Sequence, residues 1–293
     1  MKKVATFLVV ASPLMVLLCA GAASAATLSD RFASRGADIH YTIDGSGPPV
    51  ILIHGFTGSG ARHFGTTGVI KAIGDAGFQA VAIDCRGHGM SSKPETPEAY
   101  GMRMVDDVVA LLDHLHIRRA HIVGYSMGGW IATQMVVHHP SRVLTVTLLG
   151  SGWEGTNLDV TNQQMLAMAN GFDRGDTSPL IESVTAGAQN GPTDTEMAAA
   201  SADLLARNPP RVLAAIARSM RPLYEVRREQ LSHVTIPVFA VVGEKDPRNV
   251  VSAGRLKGVV TGFDMVVIPD ATHQSCVRPA AAIIVAFLAR HRR

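Results

Sequence analysis

The chain has 293 residues, enough to bury one large hydrophobic core, and its 47% hydrophobic and 17% charged residues are typical of a folded globular domain. The formal net charge is +3 and falls to +1 without Lys2 and Lys3, because 25 basic residues then face 24 acidic ones. A nearly neutral chain gives no electrostatic reason to expect nucleic acid or an anionic membrane as a partner, so neither is predicted.

The first 25 residues are predicted to be a cleaved export signal. The two N-terminal lysines precede an apolar stretch at residues 4–20, and small residues follow it. Ala23-Ser24-Ala25 fits the small-x-small cleavage pattern, which predicts cleavage after Ala25. An uncleaved membrane anchor is the alternative, because the apolar stretch is nearly long enough to span a bilayer. The mature protein is therefore predicted to be periplasmic or secreted, without stable membrane association.

Three cysteines are present, and Cys19 falls within the predicted signal. Cys85 and Cys276 remain, and an exported protein permits them either to form a disulfide or to pack as small apolar thiols. Free thiols are predicted, because each cysteine lies beside a functional loop whose geometry a crosslink would constrain. There is no Cys-x-x-Cys pair and no His/Cys cluster with zinc spacing, so no metal is predicted.

Short apolar runs alternate with longer amphipathic segments through the rest of the chain. Continuous apolar runs suit strands that are buried on both faces, as in a parallel sheet covered by helices. The runs predicted to be strands are 50–53, 80–83, 120–123, 143–149, 238–242 and 265–268. Between two of them, residues 104–116 place Val105, Val108 and Leu112 on one helical face. This alternation predicts an α/β fold with its site at the carboxyl ends of the strands.

The sharpest local signal is Gly124-Tyr125-Ser126-Met127-Gly128-Gly129, a G-x-S-x-G turn between a strand-like run and a helix-like run at 130–138. A nucleophile on such a turn has a strained backbone, and glycines at the flanking positions avoid clashes with the neighbouring strand and helix. An ordinary strand-to-helix turn with a serine cap is the alternative interpretation. The surrounding pattern favours Ser126 as a nucleophile.

Together these motifs resemble the α/β-hydrolase superfamily, and within it the serine-nucleophile, esterase-like enzymes with a helical cap. The matching segments are His54-Gly55-Phe56, residues 84–91, the turn at Ser126, Gly243-Glu244-Lys245-Asp246 and Asp270-Ala271-Thr272-His273. They follow the family order of serine, acid and histidine, and extend from about Ile39 to the C-terminus apart from a poorly matching middle. Ser126 stands where haloalkane dehalogenases and epoxide hydrolases carry an aspartate, so those two activities are not expected.

The resemblance implies a mostly parallel central sheet with helices on both faces. It divides the chain into a core at 26–151 and 233–293 and a helical cap insertion at 152–232. The helix-like parts of the insertion are 161–171, 197–207 and 212–220. Lid helices of this kind supply apolar walls of a substrate pocket. The methionines of the insertion either line an adaptable acyl pocket or simply pack between helices, and they are Met165, Met168, Met197 and Met220.

The resemblance also implies roles for individual residues. Ser126 is the expected nucleophile, and His273, after the last strand-like run, is the expected general base, because a serine hydroxyl needs a base within hydrogen-bond reach. The backbone N–H groups of Phe56 and Met127 are expected to bind the oxyanion. His54 is expected to orient its loop.

Several carboxylates are candidates for the acid that orients His273. Asp246 is the first choice, because it follows the strand-like run 238–242 at the position where the family usually carries the acid. The alternatives are Glu244, Asp84 and Glu154. Glu154 follows the strand-like run 143–149, and some α/β hydrolases place the acid there.

The predicted function is hydrolysis of a small or medium carboxylic ester, through an acyl-enzyme on Ser126, without a cofactor. Related alternatives on the same triad are an enol-lactone hydrolase, a carbon–carbon bond hydrolase of ring-cleavage products and a cofactor-free perhydrolase. Export weakens the ring-cleavage alternative, because such pathways run in the cytoplasm. A non-catalytic protein that binds a ligand in the capped cavity is the alternative from a different class, since fold alone does not decide function.

Overall fold

The computed structural model describes residues 27–185 and 193–292, so the predicted signal peptide lies outside the described residues. Eight strands form one sheet, in the order β1-β2-β4-β3-β5-β6-β7-β8. They are β1 Leu28–Ser34, β2 Ala37–Asp44, β3 Pro49–Ile53, β4 Gln79–Ile83, β5 Ala120–Tyr125, β6 Val143–Leu149, β7 Val238–Gly243 and β8 Asp264–Ile268. The six strands β3 to β8 run parallel to one another, and β1 and β2 add an antiparallel edge. The predicted α/β-hydrolase fold is confirmed.

Helices fill the connections between the strands. They are α1 Val69–Asp75, α2 Arg103–His114, α3 Met127–His138, α4 Asp159–Asp173, α5 Ser178–Thr185, α6 Asp194–Arg207, α7 Pro210–Ser219, α8 Arg221–Tyr224, α9 Arg228–Ser232, α10 Pro247–Gly254 and α11 Val277–Arg290. Short turns of helix, a π-helical one at Ala61–Gly65 and 3₁₀ turns at Pro97–Ala99 and Pro140–Arg142, complete the connections. Within the described part of the chain, no helix is long and apolar enough to cross a membrane.

The two faces of the sheet carry separate hydrophobic cores, because successive side chains of a strand point to opposite faces. In β3, Ile51 and Ile53 join the core that contains α2 and α3, whereas Val50 and Leu52 join the core that contains α1 and α11. All four side chains are fully buried. Burial on both faces explains why this strand is a continuous apolar run in the sequence.

The six runs predicted as strands coincide with β3 to β8 to within two residues at either end, but β1 and β2 were not predicted. The first four residues of β1 are exposed, and β2 includes the exposed Asp38 and, among its buried residues, the polar His40. Neither strand therefore presents the continuous apolar run on which the prediction rested. Both lie at the antiparallel end of the sheet, away from the carboxyl ends that carry the candidate site.

A helical segment, α4 to α9, lies between β6 and β7, where the sequence predicted an insertion. The three predicted helices correspond to α4, α6 and α7, while α5, α8 and α9 are additional. α4 and α7 pack against each other, and α7 buries Val212, Leu213 and Ile216. By contrast, α6 buries only Leu204, so its attachment to the rest of the protein depends on few apolar contacts.

Several histidines lie beside β3 and β5: His54, His88 and His121 are buried, and His63 is half-buried. The rings of His54 and His88 pack edge to face with centroids 5.1 Å apart, and the ring of His63 lies 6.1 Å from that of His54. Burial, followed by the neighbouring positive charges, lowers the pKa of His63 to about 3. Burial likewise lowers the pKa of His88 to about 3 and that of His121 to about 4. The fold therefore keeps these rings uncharged.

We predict that the free energy of unfolding is insensitive to these histidines above pH 6.5, their ordinary pKa, and falls as the pH is lowered towards 4. The unfolded chain gains protons that the folded chain excludes, and each histidine contributes up to about 1.4 kcal/mol per pH unit. Urea denaturation at pH 7, 6 and 5 measures the slope. His121→Phe should reduce the proton uptake by about one. Equal slopes for the variant and the wild type would contradict this prediction.

Candidate active site

The turn between β5 and α3 holds Ser126 in a strained backbone conformation, with φ +52° and ψ −116°. Gly124 and Gly128 flank it, as the turn motif requires. A Cβ atom on Gly124 would lie 2.1 Å from the carbonyl oxygen of Gly128, and a Cβ atom on Gly128 would lie 2.0 Å from the carbonyl oxygen of Ile53. No side chain fits at either position, so the close approach of β3, β5 and α3 accounts for both glycines.

Ser126, His273 and Asp246 form one line of hydrogen bonds. The Oγ atom of Ser126 lies 3.1 Å from Nε2 of His273, and Nδ1 of His273 lies 2.7 Å from Oδ2 of Asp246. The side chains come from the turn after β5, the loop after β8 and the loop after β7, at the carboxyl ends of these strands, and β6 lies between β5 and β7. With the Nδ1 proton donated to the carboxylate, the Nε2 lone pair faces the serine hydroxyl.

Tyr125 and Gly150 fix the position of the His273 ring. The Tyr125 ring stacks on it with centroids 5.2 Å apart, and the Tyr125 hydroxyl donates a 3.0 Å hydrogen bond to the His273 carbonyl oxygen. Gly150 has φ +53°, and a Cβ atom there would lie 3.2 Å from the His273 ring. A glycine at the end of β6 thus makes room for the imidazole.

Asp246 is held as a carboxylate in a buried setting. It precedes the first turn of α10, where its Oδ1 accepts a 3.4 Å hydrogen bond from the backbone N–H of Asn249, and the Asn249 side-chain amide donates to both carboxylate oxygens at 3.0 and 2.9 Å. Burial opposes its ionisation, but the hydrogen bond and charge of His273, together with those Asn249 contacts, outweigh burial and lower the pKa of Asp246.

The other three candidate acids lie elsewhere. Glu244 accepts a hydrogen bond from the Asp270 backbone, and Asp84 binds His40 and the backbone N–H groups of residues 60 and 90. Glu154 accepts hydrogen bonds from Trp130, Thr161 and Arg248. Among the described residues, only Asp246 of the four carboxylates bonds to His273.

The predicted oxyanion donors, Phe56 and Met127, both line the cavity that contains Ser126. Within residues 27–185 and 193–292 neither backbone N–H has an acceptor. His54 holds the first of the two loops: its Nδ1 bonds to the Gly55 carbonyl oxygen at 2.7 Å, and its Nε2 accepts from the Cys85 backbone N–H at 2.9 Å. The loop-orienting position expected for His54 is the one observed.

His63 is a residue of this site that the sequence analysis missed. Its Nδ1 accepts a 3.1 Å hydrogen bond from the Gly55 backbone N–H, next to Phe56, and its ring packs edge to face on Tyr125 at 4.9 Å. It lines the cavity together with Ser126. The only available signal was a histidine nine residues after His54, and that spacing predicts no contact because it crosses a loop and a π-helical turn.

The cavity in front of Ser126 has a volume of about 670 Å³. Apolar side chains of the helical segment form much of its wall, among them Met165, Met168 and Met220. Of the four methionines considered, Met197 alone does not line it. A polar rim at the α6 side contains Arg62, which bonds to Asp203 at 3.0 Å.

Cys85 and Cys276 are both buried free thiols, as predicted. Burial is the main cause that raises the pKa of Cys276 to about 12. Its Sγ lies 3.2 Å from the His273 carbonyl oxygen, to which the thiol donates. No three histidine, cysteine, aspartate or glutamate residues within the described part of the chain are grouped so as to hold a metal ion.

Residues 48–276 match the family model for the α/β hydrolase fold, and the chain belongs to that family. It is 32% identical over 139 residues to bifunctional epoxide hydrolase 2 of Sus scrofa. The matched region covers 47% of this chain and 24% of the Sus scrofa protein. It is 36% identical over 122 residues to 2-hydroxy-6-oxo-6-phenylhexa-2,4-dienoate hydrolase of Comamonas testosteroni. That match covers 41% of this chain and 42% of the Comamonas testosteroni protein. The chain thus spans less than half the length of these relatives.

Solved structures share the fold over most of the chain. The structure described as Est816, an N-acyl homoserine lactone degrading enzyme, has a TM-score of 0.70 and 26% identity, and covers 89% of this chain and 99% of that one. MGS-M2, an α/β hydrolase from a Medee basin deep-sea metagenome library, has a TM-score of 0.76 with 19% identity over 89% and 97% of the chains. At 19% identity the second likeness shows the fold alone.

We predict that Gly150→Ala moves the His273 ring by a few tenths of an ångström, because the new Cβ atom would lie 3.2 Å from it. Backbone strain at positive φ should cost both this variant and its control about 1–2 kcal/mol of stability, and the contact should add a further loss at Gly150 alone. Gly258→Ala is the matched control, since Gly258 has φ +73° but no atom within 4 Å of a Cβ there. Crystal structures and urea denaturation of both variants provide the test. An unmoved ring and equal stability losses would refute the assigned contact.

Proposed function

We propose that the protein is a hydrolase that cleaves small or medium carboxylic esters through an acyl-enzyme on Ser126. One observation carries the proposal: the hydrogen-bonded line from Asp246 through His273 to Ser126 ends in a cavity of about 670 Å³. That volume is within the range of small-molecule sites, and its apolar wall suits an acyl or alkyl chain. Export, as predicted from residues 1–25, places the reaction in the periplasm or outside the cell.

In the proposed mechanism, Nε2 of His273 takes the proton of the Ser126 hydroxyl as Oγ attacks the ester carbonyl carbon. The carbonyl oxygen becomes an oxyanion, and the free backbone N–H groups of Phe56 and Met127 bind it. His273 then donates the proton to the departing alcohol, which leaves an acyl-enzyme. A water molecule, deprotonated by His273, attacks the acyl carbon and releases the acid. Asp246 fixes the tautomer of His273 and stabilises its charged form in both steps.

His63 supports the first donor in this scheme as a positioning residue. Because its Nδ1 accepts from Gly55, an uncharged ring fixes the peptide that precedes the Phe56 N–H. A pKa of about 3 keeps that acceptor available throughout the neutral range. The preorganised loop therefore does not need to rearrange when charge develops on the substrate oxygen.

Lactone hydrolysis is the second candidate, because a lactone is a cyclic ester and the same steps open it. The likeness to Est816, at 26% identity over 89% of the chain, favours it. Carbon–carbon bond hydrolysis has the support of the Comamonas testosteroni relative over a smaller part of the chain. Epoxide hydrolysis is not proposed, since Ser126 stands where those enzymes carry an aspartate. A panel of p-nitrophenyl esters of increasing chain length, beside a lactone, an enol-lactone and a peroxide assay, separates the candidates.

Ser126→Ala should leave the protein folded and lower ester turnover by a factor on the order of a million, because no other group replaces the nucleophile. Ser232→Ala, at an exposed hydroxyl that bonds within α9, is the matched control and should retain full turnover. Steady-state kinetics and labelling by a fluorophosphonate probe give the result. Turnover of Ser126→Ala within tenfold of the wild type would exclude Ser126 as the nucleophile. Absence of both turnover and labelling in the wild type would instead favour a binding protein.

Asp246→Asn should keep its shape but lower turnover at neutral pH by up to about ten-thousandfold, because an amide no longer selects the His273 tautomer that accepts from serine. Glu244→Gln makes the same chemical change two residues earlier, where the carboxylate bonds to the Asp270 backbone. It should change turnover less than about threefold, in line with other surface substitutions. If Asp246→Asn stays active, the acid is another carboxylate, while Ser126 and His273 keep their roles.

A further inference from the structure

A partly buried polar cluster borders the cavity on the side of α10, and two of its members, Trp130 and Arg248, line the cavity. We call it the Glu154–Arg248 cluster; its members are Trp130, Glu154, Thr161, Gln164 and Arg248. Glu154 Oε1 accepts from Trp130 Nε1 at 3.2 Å, and Oε2 accepts from Thr161 Oγ1 at 3.1 Å and from Arg248 Nη2 at 3.3 Å. The cluster joins α3, α4, α10 and the loop after β6.

Burial differs sharply between the two charged members. The Glu154 side chain is 4% exposed, whereas that of Arg248 is 31% exposed and lines the cavity together with Ser126. A buried carboxylate is tolerated where an opposite charge and hydrogen bonds compensate it, and here three donors do so. Glu154 therefore anchors Arg248, and the guanidinium reaches the cavity as a fixed, charge-balanced donor.

The guanidinium has more donors than the cluster uses. Its five N–H groups include two on Nη2, which is shared between Glu154 and Thr161, and two on Nη1, one of which bonds to Gln164 Oε1 at 2.7 Å. The Nε hydrogen and the second Nη1 hydrogen have no acceptor among the described residues. Because Arg248 lines the cavity, these donors are available to an acceptor on a molecule that occupies it.

We propose that Arg248 is a specificity-determining residue that binds an uncharged oxygen acceptor, a ketone or amide carbonyl, on the substrate. The inference rests on the proposed function and names its substrate class: esters or lactones with a second carbonyl group besides the one that Ser126 attacks.

An uncharged acceptor fits better than a carboxylate, because Glu154 already balances the guanidinium charge. A substrate carboxylate would add an unbalanced negative charge beside the balanced Glu154–Arg248 pair, in a cavity that Asp246 also lines.

Two matched series of esters test this. In the acyl series, p-nitrophenyl 4-oxopentanoate, 5-oxohexanoate and 6-oxoheptanoate are each paired with the ester in which a CH–CH₃ group replaces the ketone. In the alcohol series, butyrate esters of hydroxyketones are paired in the same way. The measured quantity is the ratio of kcat/KM within a pair. The p-nitrophenyl hemiesters of succinate and glutarate add a carboxylate arm.

The variant is the double substitution Arg248→Met with Glu154→Gln, which removes both charges and leaves no lone buried carboxylate to unfold the protein. Arg174→Met also removes one arginine charge, at an exposed position outside the cavity, and serves as the control. Thermal unfolding and fluorophosphonate labelling establish that each variant is folded with an open site. Both series are then measured on the wild type and on both variants.

In the wild type the ketone should be preferred in at least one pair, by about tenfold or more, as expected for a hydrogen bond to a charged donor. The double variant should lose that preference and Arg174→Met should keep it. Ratios within twofold in every wild-type pair, or a preference that survives in the double variant, would overturn the inference while ester hydrolysis stands. A carboxylate preference that depends on Arg248 would overturn the uncharged class. Absence of both turnover and labelling would remove the proposed function itself, and this inference with it.

Discussion

The strained backbone at Ser126 is the constraint on which the site depends. Left-handed φ at a residue with a side chain costs of order 1–3 kcal/mol and persists only where the surroundings over-determine it. Here they do: the Ser126 N–H donates to the Leu149 carbonyl oxygen of β6 at 2.9 Å, and the Gly129 N–H donates to Ser126 at 2.8 Å. The buried strands β3, β5 and β6 hold both flanking glycines in contact with backbone, so the two hydrophobic cores together maintain a conformation that the turn alone would not keep.

Much of the architecture could be predicted because it is local in the sequence. The strands β3 to β8 are continuous apolar runs, and the glycines around Ser126 stand at fixed offsets from it, so each could be assigned without knowing what packs against it. The strands β1 and β2, at one end of the sheet, were not predicted, because they lack such a local signal. The residues of β1 are largely exposed, and β2 mixes polar residues such as Asp38 and Thr42 with apolar ones. Pairing with a neighbour, rather than a continuous apolar run, therefore marks them as strands.

Parts of the site that depend on contacts between distant segments could not be predicted. His63 is part of it because a π-helical turn brings its ring back onto Gly55 and Tyr125. Glu154 could be placed at the end of a strand, but its partners Trp130 and Arg248 come from other elements, and only those partners distinguish a compensated structural carboxylate from a catalytic one. Arg248 carried no signal beyond its closeness to Asp246 in the sequence.

The contacts between Tyr125 and His273 keep His273 close to Ser126 when other parts of the protein change. Tyr125 is covalently joined to Ser126, and it holds the histidine through ring stacking and one hydrogen bond. The His273 ring and the Ser126 hydroxyl are thus both positioned by the backbone of residues 125 and 126. Within the described chain, no residue of α4 to α9 hydrogen-bonds to His273 or Asp246. The helices that wall the cavity can therefore change during evolution, and with them the molecules that fit it, while Ser126 and His273 keep their relative positions.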